Sequence, residues 1–268
     1  MSVDVVAPKQ RIWRRDLRLV IHQVRYEQKA FWINKTGAMF TIGFSVIFLI
    51  MLGATNGTQT ISYLGNITND QYYVPGFIAY GIMAACFSML TSNLVSRRET
   101  GLLKRLRLTP LPAWALLTSI FLSTAIVALV QAAVLLIIGR FGYGVALPRE
   151  WLAFFVVLVV GIACFTAMGV AISSVIPNQE TAGPATSVAF FVLLFLSGLW
   201  FPLKPGSGLE KFSTFFPVRH FLIAVRAPFE QLPGSSAWPW RDLAVVAIWG
   251  IVAAFIALRK FRWSPHRG

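Results

Sequence analysis

Charged side chains are scarce in this chain: only 13% of its 268 residues are Asp, Glu, Lys or Arg, and just 10 are acidic. A soluble globular domain usually has about 25% charged residues. Hydrophobic residues make up 56% of the chain. This composition excludes an ordinary soluble domain and predicts a membrane protein. The formal net charge of +14 would suggest nucleic-acid binding in a soluble protein. Here we expect the cations to lie beside membrane spans, so we predict no nucleic-acid partner.

Residues that carry chemistry in enzymes are also few. Cys86 and Cys164 fall inside apolar stretches without ligand spacing, so we interpret them as buried small side chains, not as a disulfide or metal site. His22, His220 and His266 are scattered without catalytic partners, which argues against a membrane enzyme. The chain has no Gly-Lys dipeptide, which a GxxxxGK[ST] phosphate loop requires. We therefore predict no catalytic residue, no metal and no cofactor in this chain.

Six stretches of the chain contain no charged residue at all. A membrane-spanning helix needs about 20 mostly apolar residues. Each of the first five stretches accommodates one such helix, and Trp240, Arg241 and Arg259 extend the sixth. The sequence predicts an all-α polytopic membrane protein with six transmembrane helices in a single domain, 1–268. The stretches are Thr36–Asn69, Gln71–Ser96, Leu108–Gly139, Trp151–Gln179, Thr181–Leu203 and Leu243–Leu258.

The distribution of cations predicts the orientation of the chain. Of the 24 Lys and Arg residues, 17 lie in segments 1–35, 97–107 and 259–268. Six spans place these three segments on one side of the membrane, and the positive-inside rule makes that side the cytoplasm. We therefore expect a multi-pass protein of the cell inner (plasma) membrane with both termini cytoplasmic. No small-residue cleavage site follows the first apolar run, so we expect no cleaved signal peptide.

The segment before the first span, 10–35, predicts an amphipathic helix. Its cations and His22 recur at helical spacing and form one stripe, while apolar residues form a second stripe on the opposite face. A basic helix of this kind lies in the membrane interface and contacts lipid. The basic stripe is Arg11, Arg15, Arg18, His22, Arg25 and Lys29, and the apolar stripe is Trp13, Leu17, Val20, Val24 and Phe31.

The connection between spans 2 and 3 is short, basic and rich in leucine. It reads SRRETGLLKRLRLTPLP from Ser96 to Pro112. Three of its leucines share one helical face, and Pro110 and Pro112 end the helix because proline removes backbone donors. We predict a cytoplasmic amphipathic helix over 97–109. Most basic loops are simple positive-inside anchors, but Glu99 and Gly101 are not needed for anchoring.

Residues Arg98–Pro112 resemble the cytoplasmic signature of type 2 ATP-binding-cassette (ABC) export permeases, which runs from Arg-Glu to Thr-Pro-Leu-Pro. Leu102 stands where that family usually has Thr. A second landmark, Leu196–Leu203 followed by Pro217 and Ala224–Arg226, is similar to the end of span five and the external region of the same family. The six-span layout also matches. Within the family, the multidrug and antibiotic-resistance branch is the most similar.

The resemblance implies that segment 97–109 is a coupling helix that docks on a separate cytoplasmic ABC ATPase subunit, which binds ATP and Mg. It also implies a second permease chain, identical or paralogous. Glu99 would pair with a cation of the ATPase, and the leucines would enter an apolar pocket. The predicted coupling residues are Arg98, Glu99, Thr100, Gly101, Leu102, Leu103, Arg105 and Leu106.

The segment 202–240 is rich in proline and glycine. Parts of it are too apolar for a free loop and too short to span, so we predict an external re-entrant pair of short helices near 209–216 and 218–229. Its polar members are Arg219, His220 and Arg226. Headgroup anchoring by these side chains is favoured over a gate or a substrate contact.

The substrate path is the least visible feature of the sequence. No span has a charged side chain of the kind that ion-driven carriers use. This argues against an ion-coupled secondary carrier and suits export of an apolar or amphipathic cargo, such as a drug, an antibiotic or a lipid-like compound. Export of lipid or polysaccharide precursors by the same mechanism is the alternative. Gln131 and Asn93 are the candidate path residues, although such side chains are more often interhelical contacts.

Overall fold

The protein is almost entirely helical. The computed structural model describes residues 9–56, 59–61, 67–102, 113–200, 203, 206–229 and 236–260. The helices are α1 Lys9–Ile33, α2 Lys35–Ala38, α3 Phe44–Asn56, α4 Asn69–Met83, α5 Leu90–Glu99, α6 Ala113–Tyr143, α7 Trp151–Ser173, α8 Gln179–Ser197, α9 Gly208–Ser213, α10 Pro217–Arg226 and α11 Trp240–Lys260. The π-helical segments Met39–Gly43 and Ala84–Met89 join α2 to α3 and α4 to α5. Strands β1 Thr60–Ile61 and β2 Ile67–Thr68 form a small antiparallel ribbon.

Six helices are long and apolar enough to cross a membrane, which confirms the predicted all-α polytopic fold. They are span 1 Lys35–Thr55, span 2 Asn69–Glu99, span 3 Trp114–Tyr143, span 4 Trp151–Ser173, span 5 Gln179–Ser197 and span 6 Trp240–Lys260. Several of these helices continue past the charge-free stretches. Span 2 reaches Glu99 and span 3 includes Arg140, because helical hydrogen bonding continues beyond the apolar stretch, where long side chains reach water or backbone acceptors.

Span 2 is the centre of the bundle. The most apolar window of span 2 is 83% buried, against 17% for span 1. Two glycines allow spans 6, 4 and 2 to approach backbone to backbone. A Cβ on Gly250 would lie 3.1 Å from the Cα of Cys164, and one on Gly169 would lie 2.7 Å from the carbonyl oxygen of Cys86. Small residues at such crossings bring membrane helices together.

The N-terminal helix α1 packs along span 3. The described part of the basic stripe is exposed: Arg18, His22, Arg25 and Lys29 all face outward. The residues of the predicted apolar stripe differ in burial. Leu17 is exposed, whereas Val20 and Phe31 are buried. Part of the face that we expected to enter the acyl boundary therefore packs against protein instead.

Two short helices precede span 6, near the positions predicted from sequence. The side chain of Ser207 accepts a hydrogen bond from the Glu210 backbone at the start of α9, and Pro217 occupies the first turn of α10, where its missing N–H costs nothing. The ring of Phe221 fills the space beside Gly161, where a Cβ would lie 2.0 Å from the ring. Through this contact, α10 packs against span 4.

Candidate functional site

The candidate coupling segment begins with a sharp turn at the end of span 2. Helix α5 ends at Glu99, so residues 97–99 belong to span 2 and not to a separate helix that starts at 97. Gly101 follows with φ of +70°, a left-handed conformation that glycine adopts without strain. Leu102 is exposed beyond this turn. Leu103, Arg105, Leu106 and the rest of the predicted helix to 109 lie outside the described residues.

Arg98 is buried, with 3% of its surface exposed. Its guanidinium donates to the backbone oxygens of Ser173 at 2.9 Å and Pro177 at 3.2 Å, and also to that of Ile176. These carbonyls lie at and just beyond the end of span 4, where helical partners run out. Arg98 therefore ties the end of span 2 to the turn between spans 4 and 5, and its charge complements the helix dipole. In this structure it is not presented to a docking partner.

The next two predicted coupling residues are more accessible. Glu99 is half-buried and Thr100 is exposed. The Thr100 hydroxyl donates to the carbonyl of Ser96 at 3.0 Å. Glu99 forms no ion pair with the residues that the structure describes. Its carboxylate lies at the turn, beside the start of the basic segment.

Arg97 forms an ion pair that the sequence analysis missed. Its two terminal nitrogens donate to the carboxylate of Glu27 on α1 at 2.7 and 2.5 Å. The Glu27 side chain is 8% exposed and that of Arg97 is 22% exposed. The side-chain amide of the next residue, Gln28, donates to the hydroxyl of Ser123 in span 3 at 2.9 Å. The N-terminal helix is therefore joined to both helices that flank the coupling segment.

The two candidate path residues occupy different environments. Gln131 is 1% exposed, and its amide donates to the Ser45 hydroxyl at 2.6 Å and to the Thr41 carbonyl at 3.1 Å. It lies against Gly81, so it is an interhelical contact between spans 1, 2 and 3. Asn93 is exposed on span 2 and lines a cavity between α1 and spans 2 and 3.

The polar residues of α10 form contacts within the protein. Arg219 donates to Glu210 at 2.7 Å and to the Ser213 hydroxyl at 3.0 Å. The Nδ1 of His220 lies 2.6 Å from a carboxylate oxygen of Asp242 in span 6. The hydrogen bond with Asp242 raises the pKa of His220 above its ordinary value, against the opposing effect of burial. These contacts hold α9, α10 and span 6 together.

Arg226 is buried at the end of α10. Its guanidinium lies over the ring of Tyr72, 4.5 Å from the ring centroid, a cation–π geometry. The Tyr72 hydroxyl donates to the carbonyl of Gly198 at 2.5 Å. Arg226 and His220 are thus engaged inside the protein, and the headgroup anchoring that we favoured from sequence is not what this structure displays for them.

No group of three His, Cys, Asp or Glu side chains comes together as metal ligands within the part of the chain that the structure describes. Most of the polar side chains discussed above, such as Arg97, Arg98, Gln131 and His220, are paired at helix ends and helix crossings. Together with the six spans and the short basic connection after span 2, they define a multi-pass membrane protein whose helices are linked at both ends.

Comparison with known proteins names the family. Residues 53–259 match the model of the ABC-2 family transporter proteins. The chain belongs to this family, so it is a membrane-spanning transport permease, as the sequence resemblance indicated.

Curated relatives agree with this assignment. The chain is similar to the probable multidrug ABC transporter permease YbhR of Escherichia coli (strain K12), with 25% identity over 204 residues, 74% of this chain and 55% of that protein. It is also similar to the putative transport permease YvfS of Bacillus subtilis (strain 168), with 22% identity over 202 residues, 72% of this chain and 76% of that protein. The chain therefore spans about half the length of YbhR.

Proposed function

We propose that the chain is the permease subunit of an ATP-driven exporter that moves an apolar or amphipathic compound out of the cytoplasm. Two permease chains assemble with two ATPase subunits, and ATP and Mg bind only to the ATPase. The multidrug description of YbhR and the absence of Asp, Glu, Lys and Arg from the middle of each span support an apolar cargo.

The single observation that carries this proposal is the turn after span 2. Glu99 stands there without an ion-pair partner among the described residues, and Gly101 redirects the chain into the basic leucine segment. Arg97 and Arg98 connect the same turn to α1 and to span 4. A push on the segment is therefore transmitted to two other helices, α1 and span 4, which is what a mechanical coupling element requires.

The test is reconstitution of the permease with the ATPase subunit, with and without ATP. We expect ATP-dependent accumulation of a fluorescent amphipathic dye inside inside-out vesicles. Glu99→Ala should abolish the ATPase stimulation that the permease provides, because the Glu99 carboxylate is lost from the docking surface. Glu150→Ala is the control, since it removes the exposed carboxylate of a residue that lies at the start of span 4, away from the turn. Dye movement driven by an ion gradient without ATPase would instead favour a secondary carrier.

A further inference from the structure

A cavity of about 120 Å³ opens between the N-terminal helix α1 and spans 2 and 3. It lies on the same end of the bundle as the coupling turn, since Arg97 forms part of its wall. Its apolar surface includes Phe31, Met89 and Leu90. The polar residues of the wall are Glu27, Asn34, Asn93, Arg97, Ser123 and Thr124.

The two charges of this wall neutralise each other. Glu27 and Arg97 are joined by two hydrogen bonds of 2.7 and 2.5 Å, and Glu27 is buried. A bidentate pair of this kind is already satisfied. A ligand with a net positive or negative charge therefore finds no unpaired counter-charge among the residues that line the cavity.

The neutral polar groups of the wall retain hydrogen-bonding capacity. Asn93 makes no hydrogen bond to the residues that the structure describes, and its amide offers both a donor and an acceptor. The Asn34 carbonyl oxygen accepts from the Gly37 backbone at 3.1 Å, which leaves its NH₂ group as a donor. The Thr124 hydroxyl already donates to the Ile120 carbonyl and the Ser123 hydroxyl already accepts from Gln28, so Thr124 offers an acceptor and Ser123 a donor. An unpaired polar group beside a membrane is costly unless it gains a partner.

The size of the cavity limits what enters it. Sites for whole small molecules usually measure about 300–1,000 Å³, well above the 120 Å³ found here. The space suits a polar head or a fragment of similar size, while an attached apolar tail remains in the surrounding bilayer beside the exposed faces of the spans. A mixed wall, polar on one side and apolar on the other, fits the boundary between such a head and its tail.

We propose that this cavity binds the polar head of a net-neutral amphipathic molecule that enters from the adjacent leaflet. A zwitterionic phospholipid and a transported amphipathic compound share this chemistry. Asn93 supplies the hydrogen bonds to the head, and the Glu27–Arg97 pair excludes singly charged heads. Of these two occupants, only the transported compound rests on the proposed export function.

The test uses the purified permease in nanodiscs, without ATPase. Three photoreactive lysolipids with the same acyl chain carry a phosphocholine, a phosphoglycerol or a trimethylammonium head, and mass spectrometry locates the cross-links. We expect the zwitterionic probe to label α1 and span 2 around the cavity about 5-fold more than either charged probe, equivalent to about 1 kcal/mol. Equal labelling by all three probes would overturn the proposal, because it would indicate ordinary lipid contact.

Two variants sharpen the result. Asn93→Trp should lower labelling by the zwitterionic probe about 5-fold, whereas Val188→Trp, on the exposed face of span 5, should not change it. Asn93→Asp adds one negative charge to a neutral wall and should shift the preference to the trimethylammonium probe. Asn93 is exposed and has no hydrogen-bond partner among the described residues, so these changes leave the helix packing intact. Unchanged labelling in both Asn93 variants would also refute the site.

Competition distinguishes the two sources. Unlabelled phosphatidylethanolamine that displaces the probe identifies a membrane lipid as occupant, whereas a transported dye that displaces it identifies the cargo. Either result supports the cavity as a site for neutral heads. Because the labelling needs no ATPase, loss of ATP-driven transport with labelling intact would contradict the exporter function and leave the site standing.

Discussion

The substitution Arg98→Ala tests whether Arg98 stabilises the helix bundle, in contrast to its neighbour Glu99, for which we propose a contact with a partner. The side chain donates to three backbone oxygens at the end of span 4 and is 3% exposed. A hydrogen bond to a charged group contributes about 1.5–3 kcal/mol. Arg98→Ala removes at least two good bonds of this kind, and water replaces part of their energy, so we expect a loss of about 3 kcal/mol or more. For a domain of 150–250 residues, such a loss lowers the melting temperature by about 6–12 °C.

The assay is thermal unfolding of the detergent-solubilised chain, followed by intrinsic fluorescence. Arg98→Lys should fall between the wild type and Arg98→Ala, because an ammonium group lacks the planar fork of guanidinium. The neighbouring Glu99→Ala is the matched control and should leave the melting temperature unchanged. The reasoning is refuted if Arg98→Ala melts like the wild type, or if Glu99→Ala is destabilised to the same extent.

Three further predictions concern other parts of the chain. Gly101→Val should cost about 1–2 kcal/mol at a left-handed position and reduce co-purification of the ATPase, whereas Gly101→Asn should retain it; equal behaviour of both variants would contradict the turn. The raised pKa of His220 means that its pair with Asp242 stabilises the fold below about pH 6.5, and that this contribution is lost as pH rises through the raised pKa. His220→Gln should remove that slope from melting curves recorded between pH 5 and about 9, and a wild type without the slope would count against the pair. Gln131→Leu should cost about 0.5–1.5 kcal/mol, typical of an interhelical hydrogen bond in membranes, and leave cargo preference unchanged in dye-transport assays; altered preference would return Gln131 to the substrate path.

The positions of the spans could be predicted because lipid excludes charge. Long charge-free stretches therefore mark the helices whatever their packing, and the structure places six spans where those stretches lie. The same argument does not give the exact ends. Arg98 and Glu99 extend span 2 because helical hydrogen bonding continues into the interface, where long side chains reach water or backbone acceptors.

The roles of adjacent residues could not be predicted because successive helical positions point about 100° apart. Arg97, Arg98 and Glu99 consequently face α1, span 4 and the coupling turn, although the sequence pattern treats them as one basic motif. Glu27 lies on the face of α1 opposite the cationic stripe, so the periodicity of the cations does not predict its partner. A usable signal existed, since an acidic residue on a largely apolar face requires a cation nearby.

The short helices before span 6 show the same limit. Proline and glycine predicted that the chain between spans 5 and 6 is broken into short pieces, which local backbone chemistry determines. The partners of His220 and Arg226 depend on where span 6 and span 2 arrive in space. Asp242 is 22 positions from His220, and Tyr72 is far earlier in the chain, so neither contact has a local sequence signal.

The two π-helical segments have a mechanical consequence. Met39–Gly43 in span 1 and Ala84–Met89 in span 2 lie beside each other, and the hydroxyl of Thr41 approaches the sulfur of Met89 at 3.6 Å. Wide turns of this kind are uncommon and less regular than α-helix. Spans 1 and 2 are therefore less rigid where these two segments lie side by side. We expect the parts of the two spans that lead to Lys35 and Glu99 to rotate while the remaining parts stay packed in the bundle. Spin-label distances between spans 1 and 2, measured on both sides of the π-helical segments with and without nucleotide on the ATPase, would reveal this rotation as a change confined to the labels on the side of Lys35 and Glu99.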